Sequence, residues 1–349
     1  MENIKALALF SGGLDSILAT RLVMSQGIEV TAIQFVTPFF NYRILEDREA
    51  HRKRMEKLYG IHVELFDISS EYLQLLKNPA HGFGKNFNPC IDCKIIMLSK
   101  AREMMAERGA KFLITGEVLG QRPMSQRRDT LNVIERDSGT RSFLLRPLSA
   151  KLMAETEAEK RGWVDRERLL DFSGRGRSRQ IALARKYGIT DFPAPAGGCI
   201  LADPILSRRV SHLYSDDSLL SPAEITTGDV RLLLIGRQFA LPGGGWLVLG
   251  RDERDNDRLE ELAGEDDALV WMEQRPGPTA LLRRAATWYA DDKVLAEDLE
   301  LAARLVVRYG RKIDGKRPPG EVTITMGDSS EKRTVPPLED SVFKRWLLQ

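Results

Sequence analysis

The sequence predicts an α/β fold: a doubly wound parallel sheet over residues 1–204, followed by a smaller α+β domain over residues 205–349. Three observations carry this expectation. Residues 1 to about 200 alternate short β-rich apolar runs with amphipathic stretches. Three polar or glycine-bearing motifs sit where strands should end or helices begin. After about Pro204 the rhythm gives way to a polar stretch, SHLYSDDSLLSPAEITTGD, and then to short strands. A chain of 349 residues also calls for about two cores.

In order, ALALF (6–10) reads as the first strand and is followed by a helix from about Ser16 to Gln26. Next come the strand VTAIQFV (30–36), a helix over about 47–58, the strand HVELFDI (62–68), a helix over about 89–108, and the strand KFLIT (111–115). Ligands of such sheets bind at the carboxyl ends of the strands. SGGLDS after the first strand, NPCIDCK opening a helix, and TGEVLGQ after KFLIT should therefore converge on one rim. In the second domain VRLLLI (230–235), GWLVLG (245–250), ALVWME (268–273) and VTIT (322–325) read as strands, and about 296–309 reads as a long helix. No internal repeat or low-complexity tract is present.

Hydrophobic content of 42% with 29% charged residues is that of a globular domain, and no apolar run approaches the ~18 residues that span a bilayer. The opening MENIKALALF has neither a basic leader nor a cleavage site, so a cytoplasmic protein with no membrane partner is expected. Net charge is only +2, but residues 121–186 hold 16 Lys/Arg against 9 Asp/Glu, whereas 251–267 hold 3 against 9. The middle of the chain is thus basic enough to approach a polyanion, solvated helix faces being the plain alternative.

Ser11-Gly12-Gly13, between a strand and a helix, can aim successive backbone N–H groups into one concavity, and the helix N-terminus adds positive potential there. Neither GxxxxGK[ST] nor GxGxxG is present. Asp15 instead puts a carboxylate beside the anion cradle, which a bridging divalent cation would make tolerable. A glycine-rich turn with an Asp cap is the bland reading. SGGLDS in this place resembles the signature of the PP-loop ATP pyrophosphatases, the adenine-nucleotide alpha-hydrolase superfamily, which cleave ATP between the α- and β-phosphates. The resemblance implies that Ser11, Gly12, Gly13, Asp15 and Ser16 contact pyrophosphate, with Mg²⁺ close to Asp15. It also sets Gln34 and Phe35 against the adenine.

Cys90, Cys93 and Cys199 are the chain's three cysteines. In NPCIDCK, Asn88 can cap a helix, Pro89 suits its first turn, and a thiol in that turn is biased toward thiolate. Three readings stay open: a persulfide relay with a resolving cysteine, an iron–sulfur cluster held by all three thiolates with the fourth iron open, or zinc lacking a fourth ligand. Unrelated buried cysteines are the plain alternative. None of His51, His62, His81 and His212 lies beside a cysteine.

TGEVLGQRPMSQ (115–126) followed by LLRPLSA (144–150) resembles the corresponding segment of the tRNA 4-thiouridine synthetases, and NPCIDCK is similar to the NPxxxCN segment of the tRNA 2-thiouridylases. This implies catalytic roles for Cys93, Cys199 and Asp15, although Cys90 stands where those thiouridylases usually carry Asp. A CxxC with one distant cysteine is the pattern of thiolation enzymes that bind a 4Fe–4S cluster, here through Cys90, Cys93 and Cys199, and the cluster is placed ahead of the bare relay. PAPAGGCILADP, which carries Cys199, can bend back over the site.

Gly116 and Gly120 allow close approach to a nucleotide, with Glu117 and Gln121 as polar contacts. Arg175, Arg177 and Arg179 lie in a glycine-rich turn before a helix, where ATP phosphates, tRNA backbone and solvent remain equal candidates. LPGGGWLVLGRDERDNDRL (241–259) resembles the core of the NFACT-R RNA-binding domains. There Arg237 and Arg251 could meet phosphate, and Trp246 is either a stacking or a buried core residue.

Together these resemblances imply an ATP-dependent tRNA sulfurtransferase that uses ATP, Mg²⁺ and a persulfide carrier or sulfide, activates a uridine carbonyl oxygen as its adenylate, and lets sulfur displace AMP. The 4-thiouridine synthetases carry an N-terminal THUMP region, whereas this sequence opens at the PP-loop strand, so the second domain would have to substitute in docking tRNA, or the substrate is not tRNA. The rival readings are a PP-loop ligase or amidase acting on a small metabolite and a non-catalytic RNA-binding protein. Oligomeric state is left open.

Overall fold

A computed structural model describes residues 4–194, 199–215 and 225–348. The chain divides into two compact units, Met1–Ala202 and Asp203–Gln349.

The first unit runs β1 (Lys5–Leu9), α1 (Leu14–Met24), β2 (Glu29–Val36), α2 (Arg48–Tyr59), β3 (Val63–Asp67), α3 (Ser69–Leu75), α4 (Cys90–Glu107), β4 (Phe112–Thr115), α5 (Arg128–Asp137), β5 (Leu144–Leu145), α6 (Glu157–Lys160) and α7 (Ser178–Lys186). Its five strands are parallel in the order β3-β2-β1-β4-β5. Side-chain alternation sorts the strands into two cores. Ala6, Ala8 and Ala32 join α1 and α2 on one face. Leu7, Ile33 and Phe35 join Leu98 of α4 and Ile134 of α5 on the other.

Helix ends follow local chemistry. Asp47 caps α2 by accepting from the Ala50 N–H at 2.9 Å, and Gly60 closes it with φ +63°. The chain winds one way from β1 to β3 and then returns to place β4 on the other side of β1. The switch point therefore lies between the carboxyl ends of β1 and β4, where SGGLDS and TGEVLGQ begin.

The second unit runs α8 (Pro204–Leu213), α9 (Thr227–Leu233), β6 (Arg237–Ala240), β7 (Trp246–Leu249), α10 (Glu253–Leu262), β8 (Ala268–Trp271), β9 (Ala280–Arg283), α11 (Ala285–Trp288), α12 (Asp292–Tyr309), β10 (Gly320–Met326), β11 (Ser329–Val335), α13 (Asp340–Phe343) and β12 (Leu347–Leu348). Its seven strands form an antiparallel sheet, β11-β10-β8-β9-β7-β6-β12, and α12 buries Leu299, Ala302, Ala303 and Val306 in its core. The α+β expectation holds, with corrections. Most of the expected strand over 230–235 is helix, because Thr226 and Asp229 form a capping box that starts α9 just before the apolar run. The strand comes immediately after, at β6. The edge strand β11 is mostly exposed and polar, so no apolar alternation announced it.

Candidate active site

The SGGLDS turn is built around Gly12, whose φ of +75° favours glycine, and Gly13, the N-cap of α1. Ser16 Oγ donates to the Gly13 carbonyl at 2.8 Å, and the Gly13 N–H donates to Ser11 Oγ at 3.3 Å. The first-turn amides of α1 have no carbonyl ahead of them, and such a helix start favours an anion. TGEVLGQ closes directly on this turn: a Cβ on Gly116 would stand 2.5 Å from Asp15 C and Ser16 N. Gln121 Nε2 donates to Asp15 Oδ2 at 2.8 Å and Gln180 of α7 donates to Gln121 Oε1 at 3.4 Å, while the Gly174 N–H donates to the Leu119 carbonyl at 2.8 Å. Three segments distant in sequence thus share one site.

Asp15 is its electrostatic centre. Arg177 Nη2 lies 3.9 Å from Asp15 Oδ2, but Asp15 Oδ1 is buried without a partner, and so is Arg177 Nε. A buried carboxylate oxygen left bare beside an anion cradle is the chemistry of a hard-cation site. Gln34, buried on β2, accepts from His51 Nε2 at 2.8 Å, and its own Nε2 lies 3.8 Å from where a Cβ on Gly12 would be. Burial, then the Arg54 charge, lowers the His51 pKa.

Several expected contacts fall elsewhere. Phe35 points to the opposite face of the sheet, where its ring centroid is 6.3 Å from that of Phe66, so of the β2 pair only Gln34 borders the site. Glu117 is buried in an ion network: its Oε2 accepts from Arg146 Nε at 2.9 Å, and Lys94 Nζ is 3.4 Å from its Oε1. Burial pushes the Glu117 pKa up, but Lys94 and Arg146 together outweigh it, and the net shift is downward. Arg146 also pairs with Glu135 of α5. Arg179 pairs with Asp171 and lies 4.3 Å over the Phe172 ring, Arg175 is exposed, and only Arg177 of the three reaches the site. The central role of Arg146 was unassigned in the sequence, though LLRPLSA had marked its position.

α4, which carries two of the cysteines, is tied to this rim through Lys94 and Glu117. Cys90 opens α4 and Cys93 follows one turn on, its N–H donating to the Pro89 carbonyl at 2.8 Å. Pro89 occupies the N-cap in place of the expected Asn88, whose buried backbone carbonyl accepts from the Gly84 N–H at 2.9 Å. The fold-back expected of residues 193–204 falls partly on residues 195–198, outside the described residues. Cys199 itself is described, and Asn86 Nδ2 holds its segment by donating to the Ala202 carbonyl at 2.7 Å.

The buried Tyr72 hydroxyl lies within electrostatic reach of all three thiols, for burial and then Cys93, Cys199 and Cys90 raise its pKa. It has no hydrogen-bond partner of good geometry, yet it lies near enough to Cys93 to favour that thiolate. The expected thiolate bias fails nonetheless. Each thiol is partly exposed, but surrounding protein desolvates Cys93 and pushes it up to about 12, outweighing Lys94 and Tyr72. Cys199 is also raised by burial, against the Leu201 N–H. Among the described residues no three Cys, His, Asp or Glu side chains already stand in a metal-holding array. The donor set suits an iron–sulfur centre all the same: three thiols within electrostatic reach of one another, two of them a helical turn apart, and a bound metal deprotonates its thiols outright.

In the second unit the residues expected at phosphate are occupied. Arg251 Nε pairs with Asp255 at 2.7 Å, and Arg237 donates to the Gly250 carbonyl at 3.2 Å while lying 4.6 Å over the Tyr309 ring. Trp246 is core, its Nε1 donating to Gln238 Oε1 at 2.7 Å. The GGG turn is held by buried Asp298, a residue the sequence did not single out, which accepts from Gly243 N at 3.0 Å, Gly245 N at 3.2 Å and Tyr289 Oη at 2.6 Å.

Comparison with known proteins matches residues 2–155 to the family described as Thiamine biosynthesis protein (ThiI), and residues 236–347 to the NFACT protein RNA binding domain. A probable tRNA sulfurtransferase of Thermococcus kodakarensis is 30% identical over 34% of this chain and 30% of its own length. Another from Lysinibacillus sphaericus is 32% identical over 42% and 35%. This chain thus spans about a third of the length of the curated relatives it matches. Among solved structures, a U34-tRNA thiolase from Methanococcus maripaludis with its 4Fe–4S cluster is 21% identical, with a TM-score of 0.34, covering 67% of this chain and 74% of that one.

Proposed function

We propose, from an N-terminal unit matched to the ThiI family and a C-terminal unit matched to the NFACT RNA-binding domain, that this chain is an ATP-dependent tRNA sulfurtransferase. The observation that carries the reading is the bare, buried Asp15 Oδ1 beside a glycine anion cradle at the sheet's switch point.

A carbonyl oxygen is a hopeless leaving group, so the uridine oxygen attacks the α-phosphorus of ATP and pyrophosphate leaves. Sulfur then adds to the activated carbon, and AMP departs with the former carbonyl oxygen. The amides of Gly12, Gly13 and the first turn of α1 would receive the β- and γ-phosphates, and Asp15 would hold Mg²⁺ through Oδ1. Arg177, now 3.9 Å from Asp15 Oδ2, would turn its free Nε to phosphate oxygen. Gln34 would border the adenine.

Cys90, Cys93 and Cys199 would hold a 4Fe–4S cluster, which when bound supplies an open iron for the incoming sulfide. Without it, a persulfide on Cys93 would deliver its outer sulfur to the activated carbon, and Cys199 would then attack the Cys93 sulfur to leave a disulfide. The Glu117, Lys94 and Arg146 ion network ties the cysteine helix to the loop that packs on Asp15, so both halves of the reaction rest on one rigid support.

The test is anaerobic purification with an absorption spectrum and iron and sulfide assays, followed by ATP, tRNA and sulfide. Wild type should release pyrophosphate and form a thiolated nucleoside detected by mass spectrometry. Asp15→Asn should lose both products, and Cys93→Ala only the thionucleoside. Pyrophosphate release that needs a small metabolite and ignores tRNA would overturn the reading in favour of a ligase. A colourless, iron-free wild type that is active only when a small-molecule persulfide replaces the sulfide would remove the cluster and leave the persulfide route.

A further inference from the structure

Residues 311–317, RKIDGKR, connect α12 to β10 and carry four cations, Arg311, Lys312, Lys316 and Arg317, against the one acid Asp314. Ile313 and Lys316 exchange backbone hydrogen bonds at 3.0 and 2.9 Å, and Asp314 and Gly315 have φ of +50° and +76°. Two positive-φ residues between paired neighbours make a tight hairpin of the type I′ kind. Its base is tied down: the Arg311 N–H donates to the Pro276 carbonyl at 2.9 Å, and Arg275, a fifth positive charge, donates to the Pro318 carbonyl at 3.5 Å.

Much of the charge elsewhere in the unit is spent on acidic neighbours. Arg251, Arg283, Arg308 and Lys332 are all ion-paired. Arg311, Lys312, Lys316 and Arg317 make no ion pair among the described residues, and Arg317 Nε is buried with no partner. Ile313 stands between the two lysines, 51% exposed. Four like charges held close repel one another, and the preformed turn keeps them together with little conformational freedom left to lose on binding. A chain of phosphates relieves that repulsion by shedding its own counterions, and an exposed aliphatic side chain among the cations suits a sugar or base face. The apolar component and four charges spread over one short turn fit a nucleic-acid backbone better than a single small anion.

We infer that the 311–317 hairpin is an RNA-backbone docking element, taking the role that Arg237 and Arg251 cannot take. The inference goes beyond the proposed reaction, since it concerns binding without ATP or sulfur.

The test uses the full chain, no ATP, and two probes: bulk tRNA and a single-stranded 20-nucleotide RNA. Affinity is measured across a salt series for wild type, Lys312→Glu/Lys316→Glu, and a control of equal charge change on the same unit, Lys293→Glu/Lys344→Glu. The hairpin variant should bind about tenfold or more weakly and lose about 1.4–1.8 from the slope of log affinity against log salt, as expected for two lost phosphate contacts. The control should match wild type. All three should keep the same circular dichroism spectrum and melting temperature. Equal affinity and slope in the hairpin variant and wild type would overturn the inference, as would a control that weakens binding equally, which would make the effect one of net charge. Neither outcome touches the thiolation reading, which fails only if wild type forms no thionucleoside.

Discussion

Gly116→Ala isolates the junction on which the proposed site depends. The added Cβ would stand 2.5 Å from Asp15 C and Ser16 N and 2.6 Å from Asp15 O. Ordinary carbon contacts begin near ~3.5 Å, so the overlap is about 1 Å, and it falls on backbone that has no rotamer with which to escape. Either the loop after β4 or the first turn of α1 must move by roughly that distance. Overpacking of this kind costs about 1–3 kcal/mol, and in a domain of ~200 residues each kcal/mol shifts the melting temperature by roughly 2–4 °C. The functional loss should be larger than the stability loss suggests, because a displacement of about 1 Å at a reacting centre can cost on the order of 100-fold in rate.

The assays are thermal melting and tRNA-dependent pyrophosphate release, with Gly120→Ala as the comparison. Gly120, unlike Gly116, has positive φ, +74°, and its Cβ would meet nothing closer than 3.7 Å. That variant should show about 1–2 kcal/mol of backbone strain without displacing Asp15. Gly116→Ala with wild-type turnover and melting temperature would refute the claim that this glycine sets the position of the phosphate turn.

Two further outcomes follow from buried charges. The Glu117 pKa is net depressed from its ordinary value of 4.5, so its stabilising effect is fully present above that value and is lost as pH falls through the depressed one. Urea midpoints measured from neutral pH downward should therefore fall more steeply for wild type than for Glu117→Gln, which should be less stable at pH 7 by about 3–5 kcal/mol; parallel curves would show that the ion network does not depend on this carboxylate. In the second unit, Asp298→Ala strands two turn amides and the Tyr289 hydroxyl, and should cost about 3 kcal/mol or more in chemical denaturation while leaving ATP binding unchanged. A loss below about 0.5 kcal/mol would mean that the GGG turn holds its shape without the helix carboxylate.

The sequence by itself determined the parallel architecture of the first unit, because each of its first four strands is an apolar run and each intervening turn or helix carries local signals such as Gly12 and Asp47. It also marked the SGGLDS turn, the cysteines and the TGEVLGQ loop as partners, since a parallel sheet sends strand ends to one edge. It could not choose between the two faces of β2, where a one-residue step separates Gln34 at the site from Phe35 in the opposite core. Nor could it show that Glu117 is already neutralised, because Lys94 and Arg146 come from other elements and meet it only in three dimensions.

The thiolate expectation failed for a related reason. Position in a helix's first turn is local and legible, whereas desolvation sums over everything packed nearby, and at Cys93 that sum outweighs Lys94 and Tyr72. In the second unit GG-x-x-V-x-GR was readable, but only the tertiary structure paired its arginine with Asp255 and buried Trp246. Chain-local periodicity and turn chemistry place residues on elements; whether a charge is spent on a neighbour or left free for a ligand is decided by which elements pack together.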